Sequence, residues 1–496
     1  MTTTGLGPSG APGAASEMGE LTGTIRQLST HRKLVSQAEQ IELYTTLPLD
    51  AIIVPASRPA RNLEQAITLA RATGSALLIL CSRQVQPAEV QQLLAERSFD
   101  GAIVIKLPDG YRHELLDFPA LASIERDLPE ACFSYSTDLS TKRNVALILA
   151  RMLRWQRIFF LDDDIRDISP ADLQDTVSML GYYSVAGMRV SNFPDNSVAC
   201  HAHRMTGGLQ DVFITGAALA VDCQRNTGFF PKIYNEDWLF FYDLAASRKL
   251  GSSERKVTQL RYNPFADSQR AAWQEFGDIL AEGLYALLDR GQDWQDATDG
   301  YWVNFLDARR RFLKEIADRA DMVGSGIREQ LLSSVEIALK CSVTIGPGLL
   351  ERYVLHWRQD LRNWQQRMAR IGPMPSPGAA LRAMDLEWSD DGQATDIARC
   401  DSATLSEEPP TTPFALRDLH DLMQRDADCD SYPGSGREKR GGRTKRAITV
   451  SHHGAPGIRE RGLFASARRG FRSTRREYEQ PQAGASPEAQ PDGVGL

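Results

Sequence analysis

The sequence predicts an α/β protein: a mostly parallel sheet flanked by helices, a C-terminal helical subdomain, and disordered termini. Three observations carry this. Short apolar runs alternate with amphipathic stretches from residue 51 onward. Residues 266–372 carry apolar side chains at three- and four-residue spacing almost without a break. Outside those limits the composition turns to small, polar and charged residues.

The elements follow in order. "AIIVPASRP" (51–59) is an apolar run ended by Pro and Arg, as suits a buried parallel strand and its loop. "NLEQAITLARATG" has Leu63, Ile67 and Ala70 on one face and Gly74 past its end, a helix with a glycine stop. "ALLILCS", "PAEVQQLLAERS" and "GAIVIKLP" continue as strand, helix and strand, with proline opening the helix. "TKRNVALILARMLRW" is a helix and "RIFFLDDD" a strand. Strands and helices of this length in alternation imply βαβ units. "NSVACHAHR" and "DVFITGAALAVD" are expected as later strands.

The domains expected are a disordered lead (1–20), a sheet domain (21–265), a helical subdomain (266–372) and a largely disordered tail (373–496). That tail is acidic over 385–430 and arginine-rich over 437–476.

The bulk numbers exclude some classes. A net charge of −7 implies no specific nucleic-acid partner. Seven scattered cysteines with no CxxC pair fit a reducing cytoplasm better than a disulfide framework or zinc finger. The N-terminus has no secretory pattern, and no stretch is long and apolar enough for a membrane span. The basic tail leaves peripheral contact with a membrane open. No dinucleotide-binding, P-loop or nucleophile-elbow pattern occurs.

Asp162, Asp163 and Asp164 stand directly behind the run "RIFFL". Ligands of an open parallel sheet bind beyond the carboxyl ends of its strands. Adjacent carboxylates there suit a hard cation, Mn²⁺ or Mg²⁺. A solvated turn or helix start is the plainer alternative. In an extended turn Asp162 and Asp164 point to one side and Asp163 to the other.

The order "IIVPASRP", "TKRN", "FFLDDDI", "FITGAALAV", "FFPKIYNEDWLF" resembles the GT-A fold glycosyltransferases, the family-2-like group that uses nucleotide-diphospho-sugars. The resemblance covers about residues 48–250. It implies a GT-A-like catalytic domain in which an Asp-x-Asp motif holds the metal at the sugar nucleotide's diphosphate. Asp162 and Asp164 then are metal ligands, and Asp163 contacts the sugar or ribose. The Glu236-Asp237 pair matches the family's later acidic pair, with Asp237 as base and Glu236 positioning the acceptor. Inversion is favoured. Pro55, Ser57 and Arg58 match the loop against the nucleotide. Lys142, Arg143 and Asn144 begin a helix, where N–H groups and the dipole favour a diphosphate. His201 and His203 would share one side of a strand, and His201 is a candidate metal ligand; in the family such a histidine follows the acidic pair, whereas these precede it. Cys200 is expected in the core. Asp211 and Trp238 are candidate acceptor contacts. The donor's base and sugar and the acceptor are not encoded in any readable motif. Two other functions stay open: a sugar-phosphate nucleotidyltransferase, although the Gly-rich signature it needs after the first strand is missing, and a non-enzymatic binding or scaffold protein acting through its basic tail.

Overall fold

The computed structural model describes residues 28, 30–37, 46–128, 137–192, 197–210, 214–226 and 228–387. The expectations for the lead, for most of the tail and for Asp211 fall outside these residues. All described residues belong to one compact unit, Met1–Leu405.

In chain order the elements are β1 (Ser36–Gln37), β2 (Ala51–Ala56), α1 (Glu64–Thr73), β3 (Ala76–Cys81), α2 (Pro87–Glu96), β4 (Ala102–Lys106), α3 (Pro119–Ile124) and α4 (Leu139–Met152). There follow β5 (Arg157–Leu161), β6 (Ile165–Arg166), α5 (Pro170–Ser178), β7 (Val185–Val190), α6 (Val198–Met205), β8 (Ala218–Asp222), α7 (Glu236–Phe240), α8 (Tyr242–Ala246) and β9 (Leu250–Gln259). The helical region is α9 (Gln269–Asp289), α10 (Asp299–Asp318), α11 (Ser325–Thr344), α12 (Pro347–Arg370) and α13 (Pro377–Ala383).

The strands run β1-β9-β7-β8-β5-β2-β3-β4 across one sheet, with β6 paired to β9. Pairing is parallel except at β8, which is antiparallel to both neighbours, and at β6. This is the mixed, mostly parallel α/β architecture that the alternating pattern predicts.

Successive strand residues enter opposite cores, as the two-residue period requires. Ile52, Val54, Leu77, Ile79, Phe159 and Leu161 pack with α1, α2 and α5. Ile53, Leu78, Leu80, Ile158 and Phe160 pack with α4 and with α9 and α12. Strands covered on both faces need no polar alternation, which is why they read as unbroken apolar runs. The second core continues into the helices, where Trp302, Trp357 and Trp364 are fully buried. Among the described residues no helix is long and apolar enough to cross a membrane.

One element differs in type from its expectation. "NSVACHAHR" forms α6, not a strand. Ser197 caps it, accepting a hydrogen bond from Cys200 N at 3.2 Å. His201 and His203, two apart on a helix, therefore point in different directions.

Candidate active site

β2 and β5 are parallel neighbours, so Ser57-Arg58 and the aspartate triplet leave the sheet at the same carboxyl edge. β8 runs the other way and delivers Thr215–Ala217 to that edge, where Asp162 N donates to Ala217 O at 2.9 Å. The edge opens into a cleft of about 740 Å³. Pro55, Ser57, Arg58, Lys142, Arg143, the three aspartates, Glu236, Asp237 and Trp238 all line it. Asn144 and His201 do not line it. Asn144 brackets the Phe230 backbone, donating to its carbonyl and accepting from its N–H, both at 2.8 Å. His201 is buried with its ring edge-on to Tyr262, the centroids 6.0 Å apart.

The triplet divides differently from the extended-turn expectation. Ile165 N donates to Asp162 O at 3.1 Å, so the chain turns at once and the alternation of sides is lost. Asp163 faces the loop after β2: it accepts from Ser57 N at 2.7 Å, from Arg58 N at 2.8 Å and from the Arg58 guanidinium. It braces that loop. Asp164 shares Arg58 with it, at 2.8 Å, and accepts from Gln259 Nε2 at 3.1 Å. Asp162 alone turns to Arg143, whose Nη2 lies 3.0 Å and 3.2 Å from its two oxygens.

Arg143 is buried and bridges the two acidic motifs, since its Nη1 donates to Glu236 Oε1 at 2.8 Å. Lys142 is turned to the β-strand ends. Its ammonium donates to Ala56 O at 2.8 Å and Ser82 Oγ at 2.6 Å, and Asp138 lies 3.4 Å away. Burial lowers its pKa, against the pull of Asp138.

The acidic pair is set by close backbone packing. Asn235 takes the left-handed conformation, φ 61°, ahead of α7, which asparagine tolerates better than most residues. Asp237 accepts from Gly216 N at 2.7 Å and from Trp238 N at 3.0 Å. A Cβ at Gly216 would lie 2.7 Å from Asp237 Cβ, so only glycine gives this approach. Burial raises the Glu236 carboxyl to about 8, with Arg143 opposing and Asp237 adding to the shift. Burial likewise raises Asp237 and Asp162, again with Arg143 opposing. Trp238 is packed in, its ring centroid 4.7 Å from Tyr285 and 5.4 Å from His31.

Asp162 and Asp164 offer the carboxylate oxygens that suit a hard divalent cation. The Asp162 side chain retains 21% exposure in the cleft, and Arg58, 43% exposed, is the partner of Asp164 with room to move. The donor chemistry therefore fits the ion expected there.

The cleft also contains residues the sequence reading left out. Gln274, Asp278 and Glu282 recur at four-residue spacing on α9 and face the cleft. Cys200 joins them at the cleft wall and is buried, as expected of a core residue. The His31 ring nitrogens stand 2.5 Å from Asp289 Oδ2 and 3.2 Å from Glu282 Oε2. Burial opposes the charge on His31, but its hydrogen bonds to Asp289 and Glu282 prevail and raise its pKa to about 9.

No family model and no curated protein sequence matches the chain. Several solved structures align with it at low similarity, among them the following two. One is glucosyl-3-phosphoglycerate synthase from Mycobacterium tuberculosis, in complex with Mn²⁺, UDP-glucose and phosphoglyceric acid: 13% identity, TM-score 0.30, covering 48% of this chain and 80% of that one. The other is a mannosyltransferase from Pyrobaculum calidifontis with GDP-mannose and Mn²⁺: 12% identity, TM-score 0.29, covering 69% of this chain and 87% of that one.

Proposed function

We propose that the chain is a metal-dependent glycosyltransferase that moves a sugar from a nucleotide-diphosphate donor to a hydroxyl acceptor, with inversion. One observation carries the reading: residues from the segments that resemble the GT-A motifs, far apart in sequence, line a single cleft at the carboxyl edge of the sheet.

Pro55, Ser57 and Arg58 form the donor's loop, which Asp163 holds in place. Asp162 and Asp164 hold the cation. When bound, Mn²⁺ or Mg²⁺ supplies positive charge beside the leaving diphosphate. Arg143 ties Asp162 to Glu236, so the donor and acceptor ends of the site are set by one buried guanidinium. Asp237 takes the proton of the attacking hydroxyl, and its burial makes it the better base. Glu236 and Trp238 shape the acceptor side, and Asp211 remains a candidate there.

The test is a thermal-shift series of UDP-, GDP- and dTDP-sugars with and without Mn²⁺. A donor at about 100 times its Kd adds about 2.7 kcal/mol, enough to move the melting temperature by a few degrees. The reading expects that shift for one base, in Mn²⁺ alone. No shift with any nucleotide sugar in either condition overturns it.

A further inference from the structure

We propose that Cys200, Asp278 and Glu282 form a second metal site, separate from the aspartate triplet, for a borderline-soft divalent ion such as Zn²⁺. The inference does not depend on sugar transfer. One ligand atom from each of the three residues lies within 4.8 Å of the others. Asp278 and Glu282 are one turn apart on α9, and α6 brings Cys200 to them. A thiolate with two carboxylates selects Zn²⁺ over Mg²⁺. Three protein ligands leave a tetrahedral ion one open position, and all three residues line the cleft.

A separate observation points to a bound group. Gln274, one turn before Asp278 and lining the same cleft, is 1% exposed, and its Nε2 has no hydrogen-bond partner among the described residues. Its Oε1 accepts from Val198 N at 2.8 Å, at the start of α6, so a flip of the amide would only transfer the deficit. A buried donor left unsatisfied is destabilising. A water as the ion's fourth ligand supplies the missing acceptor.

The ligands are also held from behind, as metal ligands commonly are. Asp278 accepts from Ser197 Oγ at 2.7 Å, from Asn235 Nδ2 at 3.2 Å and from Arg309 at 2.5 Å. Glu282 is met by His31 and by Gln210 Nε2, each at 3.2 Å. A carboxylate oxygen that accepts one such bond keeps a lone pair for the ion. Binding replaces the Cys200 S–H bond by a sulfur–metal bond and releases the proton to solvent.

The experiment uses the full, metal-stripped chain with excess Mg²⁺ to fill the oxygen site, titrated with Co²⁺. The wild type should develop a thiolate-to-cobalt band in the near ultraviolet at about one equivalent, which Zn²⁺ then bleaches. Cys200→Ser and Glu282→Gln should each weaken Co²⁺ binding at least about tenfold, and Asp162→Asn should leave the band unchanged. A wild type without the band, or a band that survives in Cys200→Ser, overturns the site. Calorimetry on the wild type in buffers of different ionisation enthalpy gives a check free of any variant. Zn²⁺ binding should release about one proton; binding without proton release excludes Cys200 as a ligand.

Discussion

Gly277 packs bare against the backbone of Tyr234: a Cβ at 277 would lie 2.1 Å from the Tyr234 carbonyl oxygen. The contact fixes α9 against the segment that leads through Asn235 into Glu236 and Asp237. The obstacle is main chain, so no rotamer relieves it.

Gly277→Ala should therefore displace that segment, although alanine is the better helix former by about 1 kcal/mol. Overpacking of this kind costs about 1–3 kcal/mol. Urea unfolding should show the loss, and sugar transfer should fall with it. A variant as stable and active as the wild type would mean that the Tyr234 approach is not needed.

Arg143 supplies a second prediction. Arg143→Met keeps much of the side-chain volume but leaves Asp162 and Glu236 without their shared cation. Breaking a buried ion pair by removing one partner costs about 3–5 kcal/mol. Denaturant midpoints measure this directly. Above the raised Glu236 pKa of about 8, where that carboxyl is ionised, adding Glu236→Gln to the variant should recover part of the loss, because a neutral amide needs no counter-ion. No recovery in the double variant would show that the cost lies elsewhere.

Asp237→Asn tests the base. Turnover should drop about a hundred- to ten-thousand-fold, while donor affinity stays within a few-fold, since the acceptor proton is not involved in donor binding. Both Asp237 oxygens accept backbone N–H groups, at 2.7 Å and 3.0 Å, so the asparagine must turn its NH₂ toward one of them. Melting curves must accompany the kinetics for that reason. Near wild-type transfer by the variant would remove Asp237 from the chemistry.

The aspartate triplet and its strand were legible because β5 is covered on both faces: only apolar residues fit along Ile158–Leu161, so the first charge marks the sheet's edge. The same logic made β2, β3 and β4 readable. The segment 197–205 misled because Val198, Cys200 and Ala202 alternate like a strand, while the helix signal lay in one residue, the Ser197 cap. The acidic face of α9 was hidden differently. Gln274, Asp278 and Glu282 repeat every four residues inside a helix that is otherwise buried, and polar groups at that spacing in such a helix were a signal to use. What they meet comes from α6 and from His31, distant in sequence, and no local pattern encodes that meeting. The shared grip of Arg58 on Asp163 and Asp164 was equally out of reach, because it depends on how tightly the chain turns after Asp162.

The proposed function requires Asp162 and Asp164 to bind a divalent ion that the donor nucleotide needs. Calorimetry of the best nucleotide sugar, in Mn²⁺ and then in EDTA, measures it most directly, with Asp162→Asn and Asp164→Asn alongside. The donor should bind in Mn²⁺, lose that binding in EDTA, and bind each variant at least about tenfold more weakly. Equal affinity for the donor in Mn²⁺ and in EDTA would contradict it.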